Sequence, residues 1–342
     1  MTTMAPARFT LPPERDARAV IMAWPGPRIP HYAKSEIKGI KDEISDIARA
    51  VSHYAPVSLL VNTAAINEAQ KAFQDAGKHG VSIAGTDKDD LEPWMRDIAP
   101  TFVVGEGVHG IDFNFNGWGG KYPSKNNASL AQEILAAREI PRAQTDLVLE
   151  GGALEVDGEG TLLVTESSIL NPNRNATLSR EQVETELFRL LGVSKIIWLP
   201  GVRDAEVTDA HIDSWVRFVA PGKLLLNDPG PGKGVDSEVF QTNKRILAQE
   251  TDAQGRRFEL LSLREAEPQQ GDDEPDLCLS YVNYLLVNRA VIAPRFGDHA
   301  ADQHALSVLK AAFPGREVVQ VGLEYLALIG GGVHCVTQQI PL

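Results

Sequence analysis

Short apolar runs alternate along this chain with segments whose apolar residues recur every three or four positions. Residues 19–24 are continuously apolar up to Pro25-Gly26-Pro27, which predicts a buried strand closed by a turn. Ile37, Ile40, Ile44, Ile47 and Val51 then return at helical spacing, so a helix with one apolar stripe is expected over 34–53. Residues 57–61 predict the next strand, Thr63 a cap for the following helix, and 81–84 a further strand. Ser179 and Gln182 stand at the reciprocal positions of a capping box, opening a helix to about Leu191. Strands are expected again at 196–199, 224–226 and near 281–287, and helices over about 236–250 and 302–312. Strand–helix alternation throughout predicts an α/β fold.

The 342 residues would suit one large domain or two ordinary ones. The best boundary candidates, 229–234 and 267–275, read as surface loops because strand and helix signals resume on either side. No identical repeat is legible, and a single domain over 1–342 is expected. With 43% apolar and 23% charged residues the chain can pack a core. A net charge of −13 argues against a nucleic-acid backbone or an anionic membrane as partner and is compatible with cationic ligands. Two cysteines make no disulfide framework, and no signal peptide or membrane-length apolar run is legible. A soluble, cytoplasmic protein is expected, and its oligomeric state stays open, a homo-oligomer included.

Several segments carry candidate chemistry. Cys335 follows Gly330-Gly331-Gly332-Val333-His334, where flexible backbone can approach a ligand; it reads as a nucleophile or as a small buried hydrophobe. Cys278, between two leucines, reads as core. In an extended segment His211 and Asp213 would project on one face, as an acid/base with a charged partner, half a metal site, or a solvated loop. Glu150 closes the apolar stretch 146–149, expected as a strand, before Gly151-Gly152. Trp94-Met95-Arg96-Asp97 precedes the strand expected at 100–104, and Trp118 sits in the glycine-rich turn 116–122. Polar or aromatic groups keep recurring beside glycine at strand ends, where sites are usually built. No P-loop, dinucleotide fingerprint or nucleophile elbow is present. Asp298, His299, Asp302 and His304 read as a loop and first helical turn, so no metal site is expected.

Taken in order, these segments resemble the agmatine deiminase family, in the guanidine-modifying pentein superfamily. The resemblance rests on 94–100, 115–122, 149–153, 156–163, 170–175, 211–213, 280–283 and 330–341, nearly the whole chain. It implies a five-bladed α/β propeller with a central active site, about 68 residues to a blade. It also implies hydrolysis of a small cationic guanidino compound, agmatine foremost, to a ureido product and ammonia, with polyamine synthesis as the setting. By resemblance Cys335 is the nucleophile, His211 the acid/base, and Asp97 and Asp213 the guanidinium clamp. Glu150 orients His211. Trp94, Trp118 and Asp209 join the two aspartates as substrate-binding candidates, although Trp94 reads equally as a packing residue. No cofactor and no metal is implied. The family usually reads Glu-Thr-Asn-Gly-His-Val-Asp, where this chain has Glu206-Val207-Thr208-Asp209-Ala210-His211-Ile212-Asp213. That shift of the acid puts recognition of the substrate's far end in question and keeps free or peptidyl arginine open. A metal-dependent ureohydrolase and a silent guanidino binder are the readings outside this chemistry.

Overall fold

The computed structural model describes residues 9–268 and 276–342, which form five separate sheets. Four of them repeat one plan: an antiparallel hairpin, a helix, and a third strand parallel to the second. The strands are Thr101–Gly105, Gly107–Asp112 and Arg142–Gln144; Glu155–Val156, Thr161–Thr165 and Lys195–Leu199; Val216–Ala220, Lys223–Asp228 and Glu259–Arg264; and Leu285–Val287, Ala290–Arg295 and Glu317–Gly322. Helices Leu130–Ala137, Arg180–Leu191, Val235–Gln249 and His299–Ala312 make the crossovers. A parallel pair needs such a crossover, because the chain must return to the sheet's starting edge.

The fifth sheet joins the two ends of the described chain. Gln338–Pro341 pairs antiparallel with Ala17–Ala23, with Val20 opposite Gln339, and Val57–Asn62 and Val81–Thr86 follow in parallel. Helix Lys34–Ser52 makes the crossover and buries Ile40, Ile44, Ile47 and Val51 completely, each contributing about 1.5–3 kcal/mol of transfer free energy. The first strands of neighbouring sheets pack on each other: Gln338–Pro341 touches Thr101–Gly105, and Glu155–Val156 touches Val216–Ala220. Among the described residues no helix is long and apolar enough to cross a membrane.

Several local expectations need correction. Residues 146–149 form no strand; Asn175 pins them, accepting from Val148 N–H at 3.1 Å and donating to its carbonyl at 2.9 Å. Asn62, not Thr63, caps the next helical segment, accepting from Ala64 N–H at 3.0 Å, while Thr63 donates to the Thr86 carbonyl. The strand expected near 281–287 is only Leu285–Val287. The capping box forms as expected, Ser179 Oγ accepting from Gln182 N–H and Gln182 Oε1 from Ser179 N–H. Residues 229–234 connect a strand and a helix of one sheet; of the second loop, 269–275 lie outside the described residues.

Candidate active site

The candidate residues sit just before the first strand of each blade. Asp97 precedes Thr101–Gly105, Glu150 precedes Glu155–Val156, His211 and Asp213 precede Val216–Ala220, Asn283 precedes Leu285–Val287, and Cys335 precedes Gln338–Pro341. One end of each of those strands thus delivers its side chain towards a shared centre.

Local backbone differs from the sequence reading where it matters most. Asp97 lies in a short helix, Met95–Ile98, held to the nucleophile segment by Arg96 N–H donating to the Cys335 carbonyl at 3.0 Å. His211 and Asp213 are not on an alternating strand. His211 precedes the 3-10 turn Ile212–Ser214, and the turn brings both side chains inward. Asp209 and Ala210 just before it have φ of 63° and 67°, a left-handed region that disfavours a Cβ. Glu206 compensates: its carboxylate accepts from Thr208 N–H at 2.6 Å, Thr208 Oγ1 at 2.7 Å and Ala210 N–H at 2.5 Å. Its shift along the chain therefore commits this acid's oxygens to a turn.

The convergence is best measured at Gly152. A Cβ placed there would lie 2.6 Å from His211 Nδ1, 3.1 Å from Asp213 Oδ2 and 3.1 Å from Asp97 Oδ1. Only glycine leaves these three groups open to one another. Glu150 Oε2 is 3.2 Å from His211 Nε2, so Nδ1 is the ring nitrogen left facing the centre. Asp97 accepts from Trp118 Nε1–H at 2.9 Å and Gly152 N–H at 3.1 Å. Trp118 itself holds φ at 52°, in a run of left-handed residues from Gly117 to Gly120. Asn283 Nδ2–H donates to Cys335 Sγ at 3.2 Å, and Asp213 Oδ2 lies 3.8 Å from the sulfur. Gly332 admits Asn283 and Gly331 admits the Trp94 ring, since a Cβ at either would come within 2.5 Å of them.

Burial and charge set the protonation states. Burial opposes charge on His211, but Asp97 and Glu150 push its pKa up to about 9. Burial, then the Asp213 and Asp97 charges, push the Cys335 thiol well up. Asp97 is raised by burial, while hydrogen bonding and the charge of His334 hold Asp213 low against its burial.

The sequence reading missed the groups behind the centre. His334 Nδ1 meets Asp213 Oδ2 at 2.6 Å, and its Nε2 meets Glu14 Oε1 at 2.6 Å. Glu14 in turn pairs with Arg96 at 3.0 Å and Arg217 at 2.8 Å. Glu14 lies in a segment with no motif or periodicity, so nothing in the sequence could have pointed to it. Arg174, within a quoted segment but given no role, holds Glu150 from Nε at 2.9 Å and Asp209 from Nη1 at 2.7 Å. Asp209, expected as a substrate-binding residue, lies behind the centre. It is fully buried, and its carboxylate is taken by Arg174, Lys121, Asn173 and Asp204 N–H.

A pocket of about 230 Å³ leads from the surface to Cys335 and Asp97, walled by Tyr32, Trp94, Trp118 and Tyr122. Glu36 and Asp276 add negative charge to its lining, and among the described residues no Lys or Arg lines it. Cavity lining and a hydrogen bond from Trp94 Nε1 to Tyr32 Oη at 3.0 Å place Trp94 in the wall as well as in the packing. Among the described residues no cluster of His, Cys, Asp and Glu is arranged to hold a metal ion.

The profile of the Porphyromonas-type peptidyl-arginine deiminases matches residues 10–341. The chain belongs to this family. An agmatine deiminase of Medicago truncatula is 37% identical to it over 329 residues, 86% of either chain. The solved agmatine deiminase of Enterococcus faecalis superposes with a TM-score of 0.88 at 28% identity, covering 98% of this chain and 96% of its own. DDAH from Pseudomonas aeruginosa, at 14% identity and a TM-score of 0.51, covers 95% of this chain and 100% of its own, and shares the fold alone. The fold is thus of the pentein type, and the family member is a hydrolase acting on C–N bonds of linear amidines.

Proposed function

We propose that the protein deiminates agmatine through a covalent intermediate on Cys335. The observation that carries this reading is the meeting of His211 Nδ1, Asp97 Oδ1 and Asp213 Oδ2 around Gly152 with the Cys335 sulfur beside them. Two carboxylates suit a guanidinium, which is planar, cationic and rich in N–H donors.

In the empty site the high thiol pKa keeps Cys335 protonated. A guanidinium bound between Asp97 and Asp213 offsets the negative charge that raises it, so the substrate itself favours the thiolate, the thiol proton passing to solvent. The sulfur attacks the guanidinium carbon, and a tetrahedral adduct forms. His211, protonated at neutral pH, gives its proton to one nitrogen, which leaves as ammonia and yields a thiouronium. His211 then takes a proton from a water whose oxygen attacks the same carbon. The C–S bond breaks, returning the thiolate, and the remaining hydroxyl proton passes to the ammonia or to solvent as the neutral ureido product is released. Glu150 stabilises the imidazole whenever it carries the proton.

Agmatine is favoured over arginine by the charge of the pocket. An α-carboxylate would face Glu36 and Asp276 with no Lys or Arg among the described residues of the lining to receive it, whereas a primary amine suits that wall. With Glu206 and Asp209 engaged elsewhere, Glu36 and Asp276 are the acids of the lining that suit the amine; Val207 N–H donates to one oxygen of Asp276 at 3.0 Å.

Ammonia release from agmatine, free arginine and an arginyl peptide tests the reading, with Cys335→Ser and a chelator as controls. We expect preference for agmatine, loss of turnover by at least about a thousandfold in Cys335→Ser, and no effect of chelator. Urea release, or activity that survives Cys335→Ser and dies with chelator, would point to metal-dependent hydrolysis instead.

A further inference from the structure

A second cavity, of about 130 Å³, shares a wall with the first at Thr208, Asp276, Gly330 and Cys335. His211 and Asp213 line it, and neither lines the front pocket. The two cavities therefore divide the reacting groups: aromatic walls and Asp97 on one side, the acid/base and Asp213 on the other. Exposed Ala205 and half-buried Asp236 line the second cavity, giving it a route to the surface, and Ser214, Asn227, Cys278 and Ser280 line its interior.

Its interior is built for small polar molecules. Asn227 is 3% exposed, yet its Oδ1 has no hydrogen-bond partner among the described residues, and the same holds for Oδ1 of fully buried Asp213. A buried acceptor left unpaired costs about 1–3 kcal/mol, which ordered water normally relieves. Each water needs only about 10–15 Å³ of such space, so the chamber has room for several. Ammonia, with three N–H donors, fits the same acceptors.

We infer that this side chamber supplies the hydrolytic water to His211 and drains the ammonia while the substrate's stem fills the front pocket. The inference rests on the deiminase reading above. Forming the thiouronium consumes no water and leaves one ammonia on the His211 side. Breaking it requires a water at that same place, with the front entrance still occupied. The chamber is the opening onto His211 that the stem does not cross.

Cys278 is the position at which to close it. Its sulfur lies 3.9 Å from Ser214 Oγ, and burial pushes its thiol up to about 12, so no reactive thiolate is removed by substitution. A graded series, Cys278→Ser, Val, Leu and Phe, narrows the chamber without touching the front pocket. We expect the Ser variant to match the wild type. With Leu and Phe, kcat should fall about tenfold or more with KM falling in parallel, the pattern of a slowed second step. Intact-protein mass spectrometry of quenched samples should then show the adduct, substrate minus ammonia, accumulating on Cys335. Unchanged kcat in a folded Leu or Phe variant, or kcat and kcat/KM falling together without adduct, overturns the side route. Should Phe not fold, Leu still decides. A wild-type enzyme that releases no ammonia from any guanidino compound would instead sink the deiminase reading itself.

Discussion

His211 is enclosed by Asp97, Glu150 and Asp213, with Cys335 beside Asp213, and at neutral pH the imidazolium stabilises these carboxylates alongside Arg174 on Glu150 and His334 on Asp213. Its folded pKa of about 9 lies above the ordinary imidazole value of about 6.5, so its contribution to stability is full below about 6.5 and is lost as pH rises through about 9. The difference in thermal stability between wild type and His211→Gln should therefore be wide near pH 6 and narrow by about pH 10. A difference that stays constant over that range would mean that the imidazole is neutral in the folded protein. Residue identity at this scale was legible only in part. The acid/base pair and the thiol carry their own chemical signal, and the resemblance adds Asp97 and Glu150. Arg174, His334 and Glu14 carry none, because an arginine or glutamate in a chain reads as surface charge until its burial is known.

Among the elements, helix Lys34–Ser52 does more than cover its sheet. Buried Glu43 accepts hydrogen bonds from the backbone N–H groups of Glu324 at 2.6 Å, Tyr325 at 2.9 Å and Leu326 at 2.9 Å. That docks the short helix Tyr325–Leu328, whose end supplies Leu328, Ile329 and Gly330 to the front pocket. Glu43→Ala would leave three donors without their partner, at roughly 1–3 kcal/mol for each one sealed from water. We expect a lowered melting temperature and a raised KM with kcat changed much less; a selective loss of kcat would argue against this view of Glu43 as a docking group. The helix was legible from its isoleucine spacing, but the role of Glu43 was not, since its partner lies far along the chain. The same limit explains 146–149 and 211–213. Apolar content suggested a strand at 146–149, and 211–213 was read as an extended segment, yet Asn175 and a 3-10 turn fix their geometry.

Across the whole molecule, the pairing of Gln338–Pro341 with Ala17–Ala23 brings Cys335 to the groups on the other blades. Deleting residues 338–342 removes that ladder and leaves Ala17–Ala23 with an unpaired edge. We expect loss of cooperative unfolding and of turnover together, read by melting and by ammonia release. Persistence of a sharp transition would show that the remaining sheets hold the ring without closure.

Sequence alone determined the alternation of strands and helices, the chemistry on offer, and the glycines beside it. These are local properties, set by periodicity and residue type. Tertiary structure decided which charges neutralise one another and which remain for substrate. Asp209 is fully paired although it stands two residues from His211, whereas Asp276 reaches the pocket from another part of the chain. It also exposed a repeat that no alignment by eye would reveal: each blade presents its functional group just before its first strand. The repeat is kept by strand position and packing direction rather than by residue identity, because five blades meeting at one centre must each supply a different group.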